Sequence, residues 1–440
     1  MTLPAFLPPT RIPVRPAETV SRLRPWFPRV ARVLARPYLR MVGYQGMTLR
    51  GQAGAARLWE EFHAGKNRLI VAFRHPYGND PQVVATAILW GIRTKRVPFV
   101  QFVHGVEVGW WAGALARWAL VGSGELPVDH GRLGPSQVDA IREAMAHGRH
   151  PLALAPEGQV SYSSWEVQKV EPGFARLGFL AAEELEREGR PEPVLVLPVS
   201  LYHRYSSVPD KRWDRVLTRI ERSALGKVQT GAPWERLNRL REELFLKAEA
   251  WYAQNHGYRT VGGSWSRDRL LPLLEAALGV AERILGLPHG GEYFARLYKV
   301  RTTGWARLVP ARPEDPRPTE LDRRLAYRSL AEAWSAFRHM ELADLGWFLG
   351  TDDLGPESSV TRLADQAENL YDLMVRLSGG NVSHRKVLFP RKVEVVFGAP
   401  LNLSARLGDY RTRKKETLAR TVADLVDEWH RANPEDAHAR

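Results

Sequence analysis

Between Leu69 and Val199 the chain alternates short, continuously apolar, β-prone runs with segments of helical periodicity, and this alternation most constrains its fold. The runs are LIVAF, PFVQFV, LALAP and VLVLPV; the helical segments between them include PQVVATAILWG and PSQVDAIREAMAHG. Strands that are apolar on both faces must be covered on both, so the pattern predicts an α/β layer with helices on each side of the sheet. From about Lys211 to Arg385 long helical periodicities take over, as in PWERLNRLREELFLKAEAWYAQ, RDRLLPLLEAALGVAERILG, TELDRRLAYRSLAEAWSAFRHM and SVTRLADQAENLYDLMVRLSG. A proline- and charge-rich connector, VPARPEDPRP (Val309–Pro318), divides that region. Strand character returns in RKVEVVFGAPLNLS, followed by a last helix, KKETLARTVADLVDEWH. A lone strand leaves its backbone groups unpaired, so this one is expected to rejoin the earlier sheet.

The expected organisation is a basic amphipathic arm over 1–48, an α/β core over 49–210, and a helical insertion over 211–385. A final strand and helix return to the core over 386–432, and a tail occupies 433–440. The net charge of +14 points to anionic partners: phosphates, an acidic carrier protein, nucleic acid or an anionic membrane face. No recognised basic-aromatic module accompanies that charge, so nucleic acid is not expected. With no cysteine, disulfides and Cys-ligated metal sites are excluded, which suits a cytoplasmic address.

MTLPAFLPPTRIPVRP has no sustained apolar core before its prolines, so no signal peptide is expected. GWWAGALARWALVG (Gly109–Gly122) is interrupted by Arg117 and falls short of the roughly 18 to 20 apolar residues of a span. In the arm, Arg22, Arg29, Arg32, Arg36 and Arg40 share one helical face, with Leu23, Phe27, Val30, Leu34, Tyr38 and Met41 roughly opposite. Pro25, Pro28 and Pro37 predict two short helical segments there rather than one rod. Either the apolar stripe packs on the body under a solvated basic face, or the helix lies in a membrane interface. In the second case each arginine contributes about 1 kcal/mol against an anionic leaflet.

FRHPYGND closes a buried strand with His75 and Asp80, five positions apart. A histidine beside a carboxylate makes a general base near neutral pH, the carboxylate fixing the tautomer and stabilising the imidazolium. In one continuous helix the two would stand about 140° apart, but a turn through Pro76 and Gly78 into a new helix could bring them together. A purely structural reading exists for Asp80, as an N-cap before Pro81; His75 has no obvious local structural task. LALAPEGQ sets Glu157 and Gly158 where a strand leaves the sheet, the place where α/β folds gather substrates. GSGELPVDHGR offers Asp129, His130 and Arg132 after a glycine-rich turn, and arginine's planar fork suits phosphate. VLVLPVSLYHRY reads chiefly as a core strand ending in polar residues.

In order, H-x4-D, a G…PVD segment, a strand ending in P-E-G, and V-L-P-V resemble the four blocks of the glycerolipid acyltransferase family. The 1-acyl-sn-glycerol-3-phosphate acyltransferases are its best-known members. The likeness covers about Leu49 to Tyr205, and KVEVVFGAPLNLS is similar to that family's final strand and turn. It implies a mixed sheet flanked by helices, here with a large all-helical insertion, and a catalytic base and partner at His75 and Asp80. It also implies acceptor binding at Glu157 and Gly158. Two blocks depart from the pattern: Asp129 is followed by His130, with Arg132 two further on, and Gln159 and Val160 follow Gly158 where threonine and arginine are usual. Both changes concern the acceptor's phosphate.

The resemblance therefore implies O-acyl transfer from acyl carrier protein or coenzyme A to a hydroxyl of a lyso-glycerolipid, with 1-acyl-sn-glycerol-3-phosphate the first acceptor to consider, in phospholipid synthesis. The thioester, acyl-ACP or acyl-CoA, is a co-substrate; no cofactor and no metal are expected. The implied partners are a membrane surface, the lyso-glycerolipid acceptor and the thioester carrier, with the protein peripheral on the inner face of the membrane. Other acceptors (glycerol-3-phosphate, a glycolipid, an amine) and a catalytically inactive membrane-associated scaffold stay open. Arg132, Lys169 and Arg176 are candidate phosphate contacts, and Trp90, Trp110, Trp111 and Trp118 are candidates for an acyl groove or an interface, plain core packing being the simpler reading for each.

Overall fold

A computed structural model describes residues 23–106, 108, 113–128, 134–167, 169–205, 211–263, 266–308, 319–349, 353–378 and 387–432. Its α/β part is built on an eight-stranded mixed sheet: β1 (Tyr44–Arg50), β2 (Arg68–Phe73), β3 (Gln101–Gly105), β4 (Leu126–Val128), β5 (Leu152–Leu154), β6 (Val194–Tyr205), β7 (Arg391–Phe397) and β8 (Leu401–Asn402). The order is β1-β7-β6-β2-β5-β3-β4, with β8 alongside β6. The β6-β2-β5-β3-β4 body is parallel, β7 runs antiparallel to β6, and β1 is parallel to β7. Every residue of β2 is buried, as its unbroken apolar sequence requires of a strand covered on both faces.

Helices α1 (Phe27–Met41), α2 (Gln52–His63) and α3 (Asp80–Gly91) cover one face. Their Trp59, Phe62, Val83 and Ile88 meet Leu69, Val71 and Phe73 of β2. Next along the chain come α4 (Gly113–Ser123), α5 (Pro135–His147) and α6 (Gly173–Arg187). The opposite face is covered by α5 and α6 together with α13 (Leu407–Thr412) and α14 (Lys414–Arg431), which pack Ile141, Phe179, Tyr410 and Trp429 around Ile70, Ala72 and Val196.

Between the adjacent strands β6 and β7 the chain forms α7 (Lys211–Leu225), α8 (Pro233–His256), α9 (Arg267–Leu285), α10 (Tyr293–Leu308), α11 (Glu320–Leu349) and α12 (Val360–Leu377). These helices share their own core, with Leu240, Phe245, Leu274, Leu278, Phe337, Leu345 and Leu370 all buried. Their ends carry ordinary stop and start chemistry: Ser266 and Ser359 accept from the N–H groups three residues on, and Gly286 closes α9 in the left-handed region. The connector over 309–318 lies outside the described residues.

Three expectations change. Among its described residues the arm forms one helix, α1, where two short segments were expected. Pro28 occupies its first turn, where an N–H has no acceptor to lose. Pro37 is interior, and the carbonyl it leaves unbonded belongs to Val33, a solvent-exposed residue. The sheet begins at Tyr44, inside the segment assigned to the arm, because β1 pairs with β7 from Tyr44 onward. The run PFVQFV starts as irregular chain, and the strand occupies Gln101–Gly105 instead. Among the described residues no helix is long and apolar enough to cross a membrane.

Candidate functional site

The site is built at the carboxyl end of β2, where the buried strand gives way to a loop that starts α3. Asn79, not Asp80, is the cap of that helix; Asp80 is its first residue, with Pro81 next. This small difference frees the Asp80 side chain to turn back over the loop. Its Oδ2 accepts from the Tyr77 N–H at 2.5 Å and stands 3.6 Å from Nδ1 of His75. Its Oδ1 accepts from Nε2 of His203 at 2.9 Å. Asp80 is fully buried, whereas the His75 side chain keeps 17% of its surface exposed. The turn thus brings together the two residues that continuous helix would hold apart.

His203 went unread in the sequence, where β6 looked like core. Parallel pairing sets Phe73 beside Val199, and β6 continues past that point while β2 stops. Its overhang carries His203 to Asp80 from the far side of the loop. Burial holds His203 below the ordinary imidazole range despite the opposing pull of Asp80, so it stays neutral and donates through Nε2. Burial would raise Asp80, but His203 and then His75 outweigh it and leave the carboxyl below the usual range. An ionised carboxylate flanked by a neutral buried imidazole and a solvent-facing one therefore forms the centre of the site. Nδ1 of His75 has no hydrogen-bond partner among the described residues and faces Asp80 as its nearest carboxylate, so the tautomer with Nδ1–H toward Asp80 leaves Nε2 to accept a proton.

Glu157 comes to the same corner in a different role from the one expected. Its Oε2 accepts from the His75 backbone N–H at 2.8 Å, and its Oε1 faces Nε of Arg74 at 3.4 Å. With both oxygens engaged and the residue buried, Glu157 holds the backbone that carries the base. The Arg74 guanidinium also donates to the carbonyls of Ser163, Ser164 and Glu166. Gly158 sits at φ +74°, in the region that favours glycine, and a Cβ there would come within 3.1 Å of the Tyr298 hydroxyl. Its N–H donates to Ala155, so it is not a spare donor for a developing oxyanion.

Of the candidate phosphate contacts, Lys169 and Arg176 fall within the described residues. Lys169 pairs with Glu171 at 2.7 Å and lies over the rings of Phe294 and Tyr298. Arg176 is exposed in the first turn of α6. Arg132, with Asp129 and His130, lies outside the described residues, as do Trp110 and Trp111. Trp90 is stacked by Arg36 and Arg32 and donates to the Arg32 carbonyl, so it braces α1 and lines no groove at the site.

A second unread contribution comes from the helical layer. Asp365 of α12 accepts from the N–H and hydroxyl of Ser164 at 2.9 and 2.7 Å and from the Tyr77 hydroxyl. Asn369 donates to the carbonyl of Tyr162, a non-glycine residue held at φ +56°. Ser161, its neighbour, donates to the His75 carbonyl at 2.9 Å. Arg391 of β7 lies 3.9 Å over the Tyr77 ring and reaches Glu368 at 3.3 Å. The loop after β5 is therefore clasped between the corner and α12. A buried row of acids, Asp365, Glu368 and Asp372, on a helix that also buries Gln366, Asn369 and Arg376 was the readable sign of that clasp.

Glu143, His147 and Glu184 bring ligand atoms close together, but Arg142 and Arg190 already pair with this group, and the Arg190 contact at Nδ1 turns Nε2–H of His147 toward the acids. That arrangement does not suit a cation. A cavity of about 350 Å³ is lined by Arg24, Trp26, Arg117, Trp118, Val121 and Gly122, and another of about 410 Å³ lies on α7 along Arg215, Arg219 and Arg222; His75 lines neither. No protein-family model matches this chain, and no curated protein matches it.

Proposed function

We propose that this protein is an O-acyltransferase that moves a fatty acyl group from a thioester, acyl carrier protein or coenzyme A, to a hydroxyl of a lyso-glycerolipid at the inner face of a membrane. The observation that carries the reading is a solvent-facing His75 whose Nδ1 looks onto a buried, ionised Asp80 while Nε2 is free. Nε2 takes the acceptor's hydroxyl proton as its oxygen attacks the thioester carbonyl carbon; the C–S bond breaks, and the proton passes from the imidazolium to the departing thiolate. Asp80 holds the ring and stabilises its charged form, while Glu157 and Arg74 fix the backbone that carries it. General-base assistance of this kind contributes about 10² to 10⁴ in rate, with positioning supplying more.

One observation favours an acceptor other than 1-acyl-sn-glycerol-3-phosphate within the same chemistry. After Gly158 the resembled family carries threonine and then an arginine for phosphate; here Val160 stands in place of that arginine, and Gln159 in place of the threonine. The Gln159 amide is tied to Arg301 at 2.8 Å and Asp344 at 3.3 Å, and the other nitrogen of Arg301 is paired with Asp344 at 2.6 Å. The test is acyl transfer with both thioester donors across lysophosphatidic acid, glycerol-3-phosphate and a glycolipid acceptor, wild type beside His75→Ala. Transfer that survives the substitution in folded protein removes the mechanism. Failure with lysophosphatidic acid alone selects the second acceptor class, and no transfer to any acceptor favours the scaffold.

A further inference from the structure

Helix α1 has three sides, and only two of them have a use inside the molecule. At about 100° per residue, Phe27, Ala31, Tyr38 and Leu39 form the side turned to the body. Arg29, Arg32, Arg36 and Arg40 form the next side, with Arg32 and Arg36 laid over Trp90. The third side is apolar and faces outward: Val33 is 68% exposed, Met41 74%, Leu34 51% and Trp26 39%. The stripe expected to pack on the body is thus divided, Phe27 and Tyr38 turning inward and Leu34 and Met41 outward.

The outward side continues onto α4, where Trp118 is 44% exposed and its ring lies 5.9 Å from that of Trp26. The two indoles, with Val121, line the cavity that Arg24 and Arg117 also line. An apolar strip ending in an indole cradle with two guanidinium groups at its rim matches an amphiphile: hydrocarbon below, anionic head group beside the arginines. The inward side of the same helix reaches the corner that holds Asp80. The Tyr38 hydroxyl donates to Asn79 at 3.1 Å, one residue before Asp80.

We infer that the outward side of α1, with the Trp26–Trp118 cradle, is a docking surface for an anionic lipid bilayer, with Arg24 and Arg117 at the head groups. A second copy of the chain fits it poorly, since two-fold pairing of this face would set each arginine row against its own image. The surface stands on its own geometry; its use in delivering the acceptor to His75 rests on the acyltransferase reading.

The experiment floats the full-length protein with vesicles of phosphatidylcholine, with and without phosphatidylglycerol, at two salt concentrations. Wild type is expected to partition onto the phosphatidylglycerol vesicles and to lose partition as salt rises. Leu34→Ser with Met41→Ser is expected to weaken partition at least about tenfold on both vesicle types. Arg24→Glu with Arg117→Glu is expected to remove about tenfold of the preference for anionic vesicles. All four side chains are on the surface, so unchanged melting temperatures accompany these losses, and either pair alone suffices as the test. Wild type that stays with the soluble fraction overturns the proposal, as does partition unchanged in both double variants. Self-association without vesicles that disappears in the Leu34/Met41 variant assigns the face to a second copy and also overturns it. Transfer to a monomeric, short-chain acceptor keeps the two ideas apart: the surface variants retain it, whereas His75→Ala loses it and still floats.

Discussion

Asp80 and Asp365 are both buried carboxylates within reach of Tyr77, yet they sit in opposite chemical company. Asp80 touches two imidazoles and a backbone N–H, so its neighbours can gain or lose a proton. Asp365 touches hydroxyls and an amide, none of which titrates near neutrality. One corner is arranged for proton movement, and the helical clasp opposite it is arranged to hold still. Removing Asp80 therefore alters chemistry and architecture together, and removing Asp365 alters architecture first.

The largest expected effect is that of His75→Ala, a fall of about 10² to 10⁴ in acyl transfer with the melting temperature little changed, because the ring is partly exposed and its aromatic contact is an edge-on one with Phe73. Asp80→Asn should lower transfer comparably and also cost about 1–3 kcal/mol of stability by setting His203 and the Tyr77 N–H against a neutral amide, read from urea unfolding. A stable Asp80→Asn protein with normal transfer would erase the distinction between the corner and the clasp. His203→Gln keeps a donor near Oδ1 but loosens the carboxylate; kcat should drop about tenfold or more, KM hold, and the acid limb of the pH–rate profile shift. An unshifted profile would make His203 a packing residue only.

Asp365→Asn should cost about 1–3 kcal/mol by leaving Ser164 and Tyr77 poorly paired, with kcat of the folded fraction changed far less than by Asp80→Asn. Equal losses of kcat would mean that the clasp takes part in the chemistry. The smallest effect belongs to Glu341 of α11, whose carboxyl is pushed up to about 7 by burial, against the pull of Arg376 and Arg338. Folded protein holds that proton where unfolded chain has released it, so this residue lowers stability as pH rises from about 4.5 to about 7. Glu341→Gln should therefore gain up to about 3 kcal/mol at pH 8 and nothing near pH 4, measured by unfolding at both.

The contrast also explains what could be read in advance. His75 and Asp80 were legible because a strand end, a turn and a helix start are local events with local sequence signs. The alternation of apolar runs and helices likewise announced the sheet and the return of the last strand to it. His203 was hidden because its task depends on register: β6 runs parallel to β2 and outlasts it, which no single segment states. Asp365 was hidden by distance along the chain, and Glu157 was read as facing a ligand because its two internal partners lie on a different strand end. The helix boundary bears on the alternative reading of Asp80: Asn79 is the cap, so the N-cap task is not the aspartate's.

β6 and β7 are sheet neighbours, but among the described residues six helices lie between Tyr205 and Arg391. During synthesis β6 must leave the ribosome with one flank bare and wait for its partner until the whole helical layer has been made. An open strand edge of twelve residues invites pairing with another nascent chain. The helices that clasp the loop after β5 thus set a delay as well as a geometry, and slowing their translation should raise the fraction of newly made protein lost to aggregates.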